Sequence, residues 1–392
     1  MGLVIVGYAL GVLTGMASVG PMRWLKYSVL LLSILYLFKR SLLALWLLTS
    51  YMQATIVLGG LFVFFALISS DPALAVARVL MYVVPFFYVV FSVGYLLLLY
   101  PITQVLHAFI NAINWVYLFP IVSFFITGGK VTDTNIYDVS DKNEDTAFVS
   151  NHYGWASTLF LLTSLDLLRN VPLPRWRKLM LVVFCLIAAY LVLISGNRTS
   201  WLSLLVVAVV FIFKYRKIVF YQKVLLSLLP LGLVLYLLQD PDSAINVRLE
   251  KTRTQQKKGE PRVKKSMKMI SYFNKSPNLW VTGIGVFNKK EIEIITGWSG
   301  YHNSYFEVLF GAGIPVFLFF LFVIAIRPVW FYIRYFATYY LFFLPLLIIP
   351  YFESNLTGGQ FLFFPWFIMA ILISYSRAFA RIKLSIKSGA AP

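Results

Sequence analysis

The sequence predicts an all-α polytopic membrane protein with about twelve transmembrane helices. Of its 392 residues, 60% are hydrophobic and only 12% are charged. The mean hydropathy of +0.80 lies well above the range of soluble globular domains. Apolar runs recur along the chain, and basic residues cluster in alternate connections between them. The net charge of +19 is therefore interpreted as a topology signal before any partner is considered.

The predicted spans are apolar runs that suit a hydrocarbon layer of about 30 Å. We expect the first run to be a membrane helix and not a cleaved signal peptide, because no basic segment precedes it. In chain order the runs cover approximately residues 2–19, 24–38, 42–69, 78–100, 103–127, 151–168, 179–195, 200–213, 218–238, 303–326, 335–352 and 357–376.

The distribution of basic residues predicts the orientation. With both termini in the cytoplasm, 15 Lys and Arg residues lie on the cytoplasmic side. The short loops on the other side hold only Arg23, Lys130, Lys142 and Arg198. This asymmetry is the positive-inside pattern of a multi-pass protein of the cytoplasmic membrane.

Two external loops and a cytoplasmic tail divide the chain into six parts. The larger loop lies between predicted helices 9 and 10 and carries 12 basic against 6 acidic residues. The parts are N-terminal transmembrane helices (1–127), an acidic external loop (128–150), further transmembrane helices (151–238), the basic external loop (239–302), C-terminal transmembrane helices (303–376) and a basic cytoplasmic tail (377–392).

The basic loop is predicted to contain an amphipathic helix near "RVKKSMKMISYF". Its apolar residues recur at helical spacing at Val263, Met267, Ile270 and Phe273. Such a helix suits a membrane surface, with its lysines among the headgroups. A turn at "NKSPN" and the glycine-spaced piece "TGIGVFN" follow it.

Three arginines are candidates for binding an anion. Arg198 stands at the external end of an apolar run, where it is either an interfacial arginine or one with a fixed partner such as a carboxylate or a bound anion. Arg248 and Arg262 lie in the basic loop, and each is either a solvated charge or a fork for phosphate oxygens.

His302 stands at the water boundary, at the start of the run "YHNSYFEVLFGAGIPVFLFFL". It is either an interfacial hydrogen-bonding residue or a group that transfers a proton near neutral pH. Glu307, in the same predicted helix, could orient a partner or pair with an arginine. We expect Gly311 and Gly313 to let another helix or a lipid chain approach the backbone.

Several enzyme classes lack their sequence signals. The external loops contain no HExxH, CxxC or Walker-type motif, and the single cysteine, Cys185, lies in an apolar run. We therefore expect neither a metal site nor a disulfide framework.

Taken together, these stretches resemble the bacterial O-antigen ligase/polymerase family of integral-membrane glycosyltransferases. Arg198 and Leu202 match its Arg-x3-Leu motif, and His302 and Gly313 match its His-x10-Gly motif. The segment that begins at Arg262 is similar to the family's arginine-headed loop helix, followed by a proline turn and a Gly-x-Gly-x-Phe piece at 283–287. The resemblance extends over roughly residues 150–376.

The resemblance implies glycan transfer from an undecaprenyl-pyrophosphate carrier to an acceptor hydroxyl, at the periplasmic face of the bacterial inner membrane. It implies that Arg198 and Arg262, with Arg248, hold the pyrophosphate, and that His302 is the base or positioning group for the hydroxyl. Glu307 and Gly313 are expected in the same substrate-binding region. No metal or cofactor is implied, because preorganised cations can stabilise the leaving group. The partners implied are the lipid-linked donor, an acceptor, membrane lipids and polysaccharide assembly proteins, with no nucleic acid.

Two acceptors stay open, lipid A core for a ligase and a further repeat unit for a polymerase. The rival hypothesis is a transporter or flippase for lipid-linked saccharides, which would place charges along a pathway inside its helices. Most of the charges here lie instead near helix ends and in one external loop. A non-catalytic membrane subunit of a polysaccharide assembly complex is the third possibility.

Overall fold

The computed structural model describes residues 50–80, 96, 99–126, 150–195, 197–214, 239, 246, 250, 253, 261–297 and 303–331. All regular structure within these residues is helical. Six predicted spans, those at 2–19, 24–38, 218–238, 335–352, 357–376 and most of 78–100, lie outside the described residues, as does most of the acidic loop. The total of about twelve spans therefore stays a prediction.

The described helices follow the predicted spans closely. They are α1 (Ser50–Leu67), α2 (Ile102–Ile126), α3 (Ser150–Asn170), α4 (Arg175–Ile194), α5 (Arg198–Lys214), α6 (Pro261–Lys275), α7 (Leu279–Thr282), α8 (Lys289–Thr296), α9 (Ser304–Leu321), a π-helical turn (Phe322–Ile326) and α10 (Arg327–Phe331). A further helical stretch covers residues 72–80.

Three of the described stretches are long and apolar enough to cross a membrane, namely Ile102–Ile126, Arg175–Leu193 and Ser304–Ile326. Two shorter apolar stretches, Gln53–Leu67 and Thr199–Val209, coincide with other predicted spans. The chain is therefore an all-helical integral membrane protein over the part that the structure describes.

The helices α2, α3 and α4 pack side by side and form one hydrophobic core. Tyr117, Phe109 and Phe160 are its largest fully buried side chains. Phe160 also lies edge-on to Phe184 of α4, with 6.4 Å between the ring centroids. We call α2, α3 and α4 the three-helix core, and the start of α5 packs against it at α3.

A second group joins α1, α9 and the small helices of the basic loop. Phe62 of α1 and Phe320 of α9 have ring centroids 6.0 Å apart. On the loop side, Met269, Phe273, Ile292 and Phe310 form a buried cluster that joins α6, α8 and α9. The described part of the basic loop, residues 261–297, therefore packs onto α9 as a small domain, which we call the loop domain.

Helix α9 is not continuous, although the sequence predicts one span over 303–326. Gly313 has φ 77° and ψ 174°, so two helical pieces meet at this residue. Pro315 lies just beyond it, and proline cannot donate a backbone hydrogen bond to the carbonyl of residue 311. The predicted span is confirmed by the apolar stretch Ser304–Ile326, but its backbone breaks at Gly313, so the carbonyls before the break are left available for other partners.

Candidate functional site

The first part of the site is the corner between α4 and α5, which carries Arg198. The side-chain oxygen of Asn197 accepts hydrogen bonds from the backbone N–H groups of Thr199, at 2.9 Å, and Ser200, at 3.2 Å. This is a helix N-cap, which satisfies two of the donors that a helix leaves unpaired at its start. It fixes Arg198 as the first residue of α5. The side chain of Arg198 lies outside the described part.

The corner packs closely against the start of α3 at Gly154. A Cβ atom on this glycine would lie 2.8 Å from Ser195 Oγ and 2.9 Å from Asn197 Cβ, closer than real side chains approach. Around this contact the buried hydroxyls of Ser157 and Ser200 have no hydrogen-bond partner within the described part of the chain. The corner therefore combines close backbone packing with a polar interior.

The second part of the site is the loop helix α6, which begins with Pro261 and Arg262. Met269 and Phe273 are fully buried, and Phe273 packs edge-on against Phe310 of α9, with 5.2 Å between ring centroids. Lys268 donates from Nζ to the backbone oxygen of Thr296 at 3.1 Å, at the end of α8. These contacts fix α6 against both α8 and α9.

The predicted helix is confirmed, but its predicted apolar face is only partly right. Phe273 is buried, whereas Val263 and Met267 are 56% and 62% exposed. The buried side instead follows Lys265, Met269 and Phe273, at intervals of four residues. The helix is turned so that a lysine, not a valine, occupies the first position of the inner face.

The loop returns to α9 along a line of backbone hydrogen bonds. The N–H of Ile284 donates to Phe310 O at 3.0 Å, and the N–H of Gly285 donates to Gly311 O at 2.9 Å. The N–H of Val286 donates to Phe65 O of α1 at 3.2 Å. The carbonyls of α9 accept these bonds just before the break at Gly313.

Four glycines make this approach possible: Gly283, Gly285, Gly311 and Gly313, which we call the glycine seam. A Cβ on Gly313 would overlap the backbone of Val281, and a Cβ on Gly283 would overlap that of Gly311. Gly283, Gly285 and Gly313 also have positive φ, which side chains disfavour. The predicted close approach to Gly311 and Gly313 is confirmed, but its partner is a loop of the same chain rather than a helix or a lipid.

Asn288 anchors the end of the seam to the connection after α1. Its Oδ1 accepts from Ser70 Oγ at 2.5 Å and from the N–H of Glu291 at 3.2 Å. Its Nδ2 donates to Ile284 O at 2.7 Å, so one buried amide holds three segments together. Arg78 donates from Nη1 to Phe287 O at 3.2 Å, one residue earlier.

Charged residues lie where α6, α8 and α9 meet. Glu307 is 7% exposed in the first turn of α9, and Lys265 is 4% exposed on the inner face of α6. Burial lowers the pKa of Lys265 to about 8, although the negative charge of Glu307 opposes this change. Desolvation and then the positive charge of Arg78 lower the pKa of Lys289, again opposed by Glu307.

The predicted site residues fall into two groups. Arg198 is the first residue of α5, Arg262 is the second residue of α6, and Glu307 and Gly313 lie on α9. Arg248 and His302 lie outside the described residues. Helix α6, near whose start Arg262 lies, packs onto α9. The first residue of α9 follows His302 by two positions in the sequence. Helix α5, which begins with Arg198, instead packs against the three-helix core.

The comparison with protein families identifies the segment that contains these residues. Residues 183–321 match the family model described as O-antigen ligase. This segment is therefore similar to the O-antigen ligase family. It runs from the middle of α4 to the end of α9 and includes Arg198, Arg248, Arg262, His302, Glu307 and Gly313. No curated protein matched the chain.

The match to the O-antigen ligase model confirms the resemblance seen in the sequence. It supports a role in glycan transfer during O-antigen or polysaccharide assembly. Together with the apolar helices, it supports an integral membrane protein.

Sequence reasoning missed three residues that shape the O-antigen ligase segment. Asn197 is a favoured N-cap residue directly before Arg198, and this signal was present in the sequence. Asn288 had a similar signal, because it precedes the short helix α8. Lys265 had none, because a lysine in an amphipathic helix is normally assigned to the solvent face.

Proposed function

We propose that this protein transfers a glycan from an undecaprenyl-pyrophosphate carrier to an acceptor hydroxyl at the periplasmic face of the bacterial inner membrane. The observation that carries the proposal is the O-antigen ligase match, because residues 183–321 contain both arginine-headed helices and the histidine motif. The packing of α6 onto α9 through Phe273 and Phe310 supports it, because it brings two of the motif-bearing helices into one unit.

In this proposal Arg198, Arg262 and Arg248 hold the donor pyrophosphate. Guanidinium groups bind phosphate oxygens in pairs, and they retain their charge at any physiological pH. Negative charge increases on the pyrophosphate as its bond to the anomeric carbon breaks, so cations fixed in advance stabilise the transition state more than the ground state. No metal ion is needed in this scheme.

His302 takes the proton from the acceptor hydroxyl in the same proposal. The hydroxyl oxygen then bonds to the anomeric carbon, and undecaprenyl pyrophosphate leaves with the electron pair of the broken carbon–oxygen bond. General-base catalysis of this kind contributes about 10²- to 10⁴-fold to the rate. Glu307 and Gly313 shape the start of the helix that follows His302.

Reconstitution of the full chain with an undecaprenyl-pyrophosphate glycan and candidate acceptors tests the proposal. We expect His302→Ala and Arg198→Ala each to lower transfer by about 10²-fold or more. His107→Ala and the exposed Arg175→Ala are matched controls, and both should retain the wild-type rate. A single product on lipid A core indicates a ligase, whereas a ladder of repeats indicates a polymerase. Undiminished transfer in both His302→Ala and Arg198→Ala would contradict the proposed mechanism.

A further inference from the structure

Helix α6 has a second apolar side, which the loop domain leaves exposed. Val263 and Met267 lie one turn apart on this side and are 56% and 62% exposed. Ile270, almost one turn further, is partly buried against the cluster that contains Phe273. We call Val263, Met267 and Ile270 the outer stripe. The packing of α6 thus leaves part of its predicted apolar face outside the loop domain.

Basic residues lie beside the outer stripe. At about 100° of rotation per residue, the lysines next to the stripe fall on one side of the helix, and these are Lys264, Lys268 and Lys275. All three are exposed, and Lys268 also donates to Thr296 O. Helix α6 contains Arg262 and four lysines but no acidic residue. An apolar stripe beside a basic side is typical of helices that lie in the boundary between membrane and water.

The loop domain docks at the end of α1, an apolar helix that coincides with a predicted span. The N–H of Val286 donates to Phe65 O, near the end of the apolar stretch Gln53–Leu67. Phe273 brings α6 close to the same place, because its ring contacts that of Phe310, whose backbone oxygen also accepts from the loop. A membrane helix ends where hydrocarbon gives way to headgroups, so α6 lies near the level of that boundary.

The charge of the basic loop distinguishes the surfaces that can cover the outer stripe. The loop as a whole carries 12 basic against 6 acidic residues, so a complementary partner is anionic. A second copy of the chain would bring the same basic side to a symmetric contact, where like charges repel. A bilayer with anionic phospholipids offers hydrocarbon and negative charge at the same place. This surface therefore fits both the stripe and the lysines beside it.

We propose that the outer stripe of α6 inserts among the headgroups of an anionic phospholipid surface, with Lys264 and Lys275 at the lipid phosphates. The stripe begins one residue after Arg262, so its insertion holds the start of α6 at the lipid boundary. The inference goes beyond the proposed glycan transfer and does not depend on it. Where transfer takes place, insertion keeps the backbone at Arg262 near the level of a lipid-linked pyrophosphate.

The single cysteine of the chain makes the proposal measurable by spin labelling. In a Cys185→Ala background, a nitroxide on Met267→Cys or on Val263→Cys probes the outer stripe at two positions. A nitroxide on Tyr272→Cys is the matched control, because Tyr272 is exposed and lies on the opposite side of α6 from Val263. The labelled full chain is reconstituted in nanodiscs of phosphatidylethanolamine with phosphatidylglycerol. Electron paramagnetic resonance then measures collisions of each label with oxygen and with a water-soluble nickel chelate.

The ratio of the two collision rates reports depth, because oxygen concentrates in hydrocarbon and the chelate stays in water. We expect this oxygen-to-nickel ratio to be about tenfold higher for the labels on the outer stripe than for the label at position 272. Replacing phosphatidylglycerol with phosphatidylcholine should lower the ratio on the stripe and leave the ratio at position 272 unchanged.

The role of the lysines is tested by Lys264→Gln with Lys275→Gln. Each lysine near an anionic surface shifts the ratio of inserted to released α6 by about fivefold, so the pair should shift it by about 20- to 30-fold toward the released form. The matched control is Lys289→Gln with Lys290→Gln, which removes the same charge from exposed positions on α8. This control pair should leave the label on Met267→Cys as in the parent.

Several outcomes would overturn the proposal. A stripe label that collides with nickel as often as the label at position 272 would place the outer stripe in water. Stripe labels shielded from both reagents would show a protein surface over the stripe, and dipolar broadening between labels would identify it as a second copy. Equal shifts from the two lysine pairs, or no response to phosphatidylglycerol, would reject the contact between α6 and anionic lipid.

The lipid contact and the glycan transfer can fail separately. The collision measurements need neither donor nor acceptor, so they report on α6 even in His302→Ala. A stripe found in water would overturn the lipid contact while transfer by the same nanodiscs is still measured.

Discussion

The two arginine-headed helices are held in place by opposite means. The start of α5 is fixed by neighbours in the sequence, since Asn197 caps Thr199 and Ser200 and lies beside Ser195. Helix α6 is fixed by residues farther away in the sequence, through the contact of Phe273 with Phe310 and the hydrogen bond from Lys268 to Thr296. Gly154 adds a distant contact to the first corner.

The difference shows where the site is most vulnerable. A capped corner loses one or two hydrogen bonds when a residue is changed, and the helices on both sides continue to hold it. The loop domain depends on backbone atoms that approach within contact distance, so a single added carbon atom affects the whole domain. We expect substitutions in the glycine seam to have larger effects than substitutions at the corner.

The largest effect is expected from Gly313→Ala. The new Cβ would overlap the backbone of Val281, and alanine also disfavours the φ of 77° at this position. Strain and overpacking together should destabilise loop docking by about 2–5 kcal/mol. We expect rapid proteolysis within residues 279–297 and loss of glycan transfer. The matched control is Gly60→Ala, where no atom lies within 4 Å of the added Cβ.

Gly297→Ala separates the two causes of this effect. Gly297 has φ 81°, but nothing lies within 4 Å of a Cβ at this position. Its substitution should therefore cost only the conformational part, about 1–2 kcal/mol. If Gly297→Ala and Gly313→Ala gave equal loss of docking, the close contact with Val281 would not be what holds the loop.

The sequence predicted the local features of the site better than its distant contacts. The helix around "RVKKSMKMISYF" and the starts of α5 and α9 were predicted from periodicity and from the ends of apolar runs. The inner face of α6 was not, because it is set by contacts with α8 and α9, such as Phe273 against Phe310, that are distant in the sequence. The break at Gly313 was also missed, since the apolar run reads as continuous on either side of it.

A smaller effect is expected from Gly154→Ala at the corner. The added Cβ would lie 2.8 Å from Ser195 Oγ and 2.9 Å from Asn197 Cβ, so the corner must shift by several tenths of an ångström. Overpacking of this kind costs about 1–3 kcal/mol. We expect a lower melting temperature of the full chain and a partial loss of transfer, with no increase in proteolysis of the loop. Loop cleavage comparable to that of Gly313→Ala would show that the corner and the loop are one cooperative unit.

The smallest effect is a pH dependence that only the loop domain should show. Burial lowers the pKa of Lys265 from 10.5 to about 8, against the opposing charge of Glu307. Between these pH values the undocked loop binds more protons than the docked loop, so docking becomes more favourable as the pH rises. The gain in the free energy of loop docking is absent below pH 8 and complete above pH 10.5. It should be on the order of 1 kcal/mol after solvent screening.

Protease resistance of the loop between pH 7 and pH 10 measures this dependence. Resistance should rise with pH in the wild type and in the Lys264→Met control, and the rise should vanish in Lys265→Met. A loop that weakened as Lys265 lost its proton would mean that Glu307 stabilises the charged form more than burial destabilises it. Residues 195–200 at the corner include no lysine, so the stability of the corner should stay constant over this pH range. The contrast between the corner and the loop domain would then be measurable.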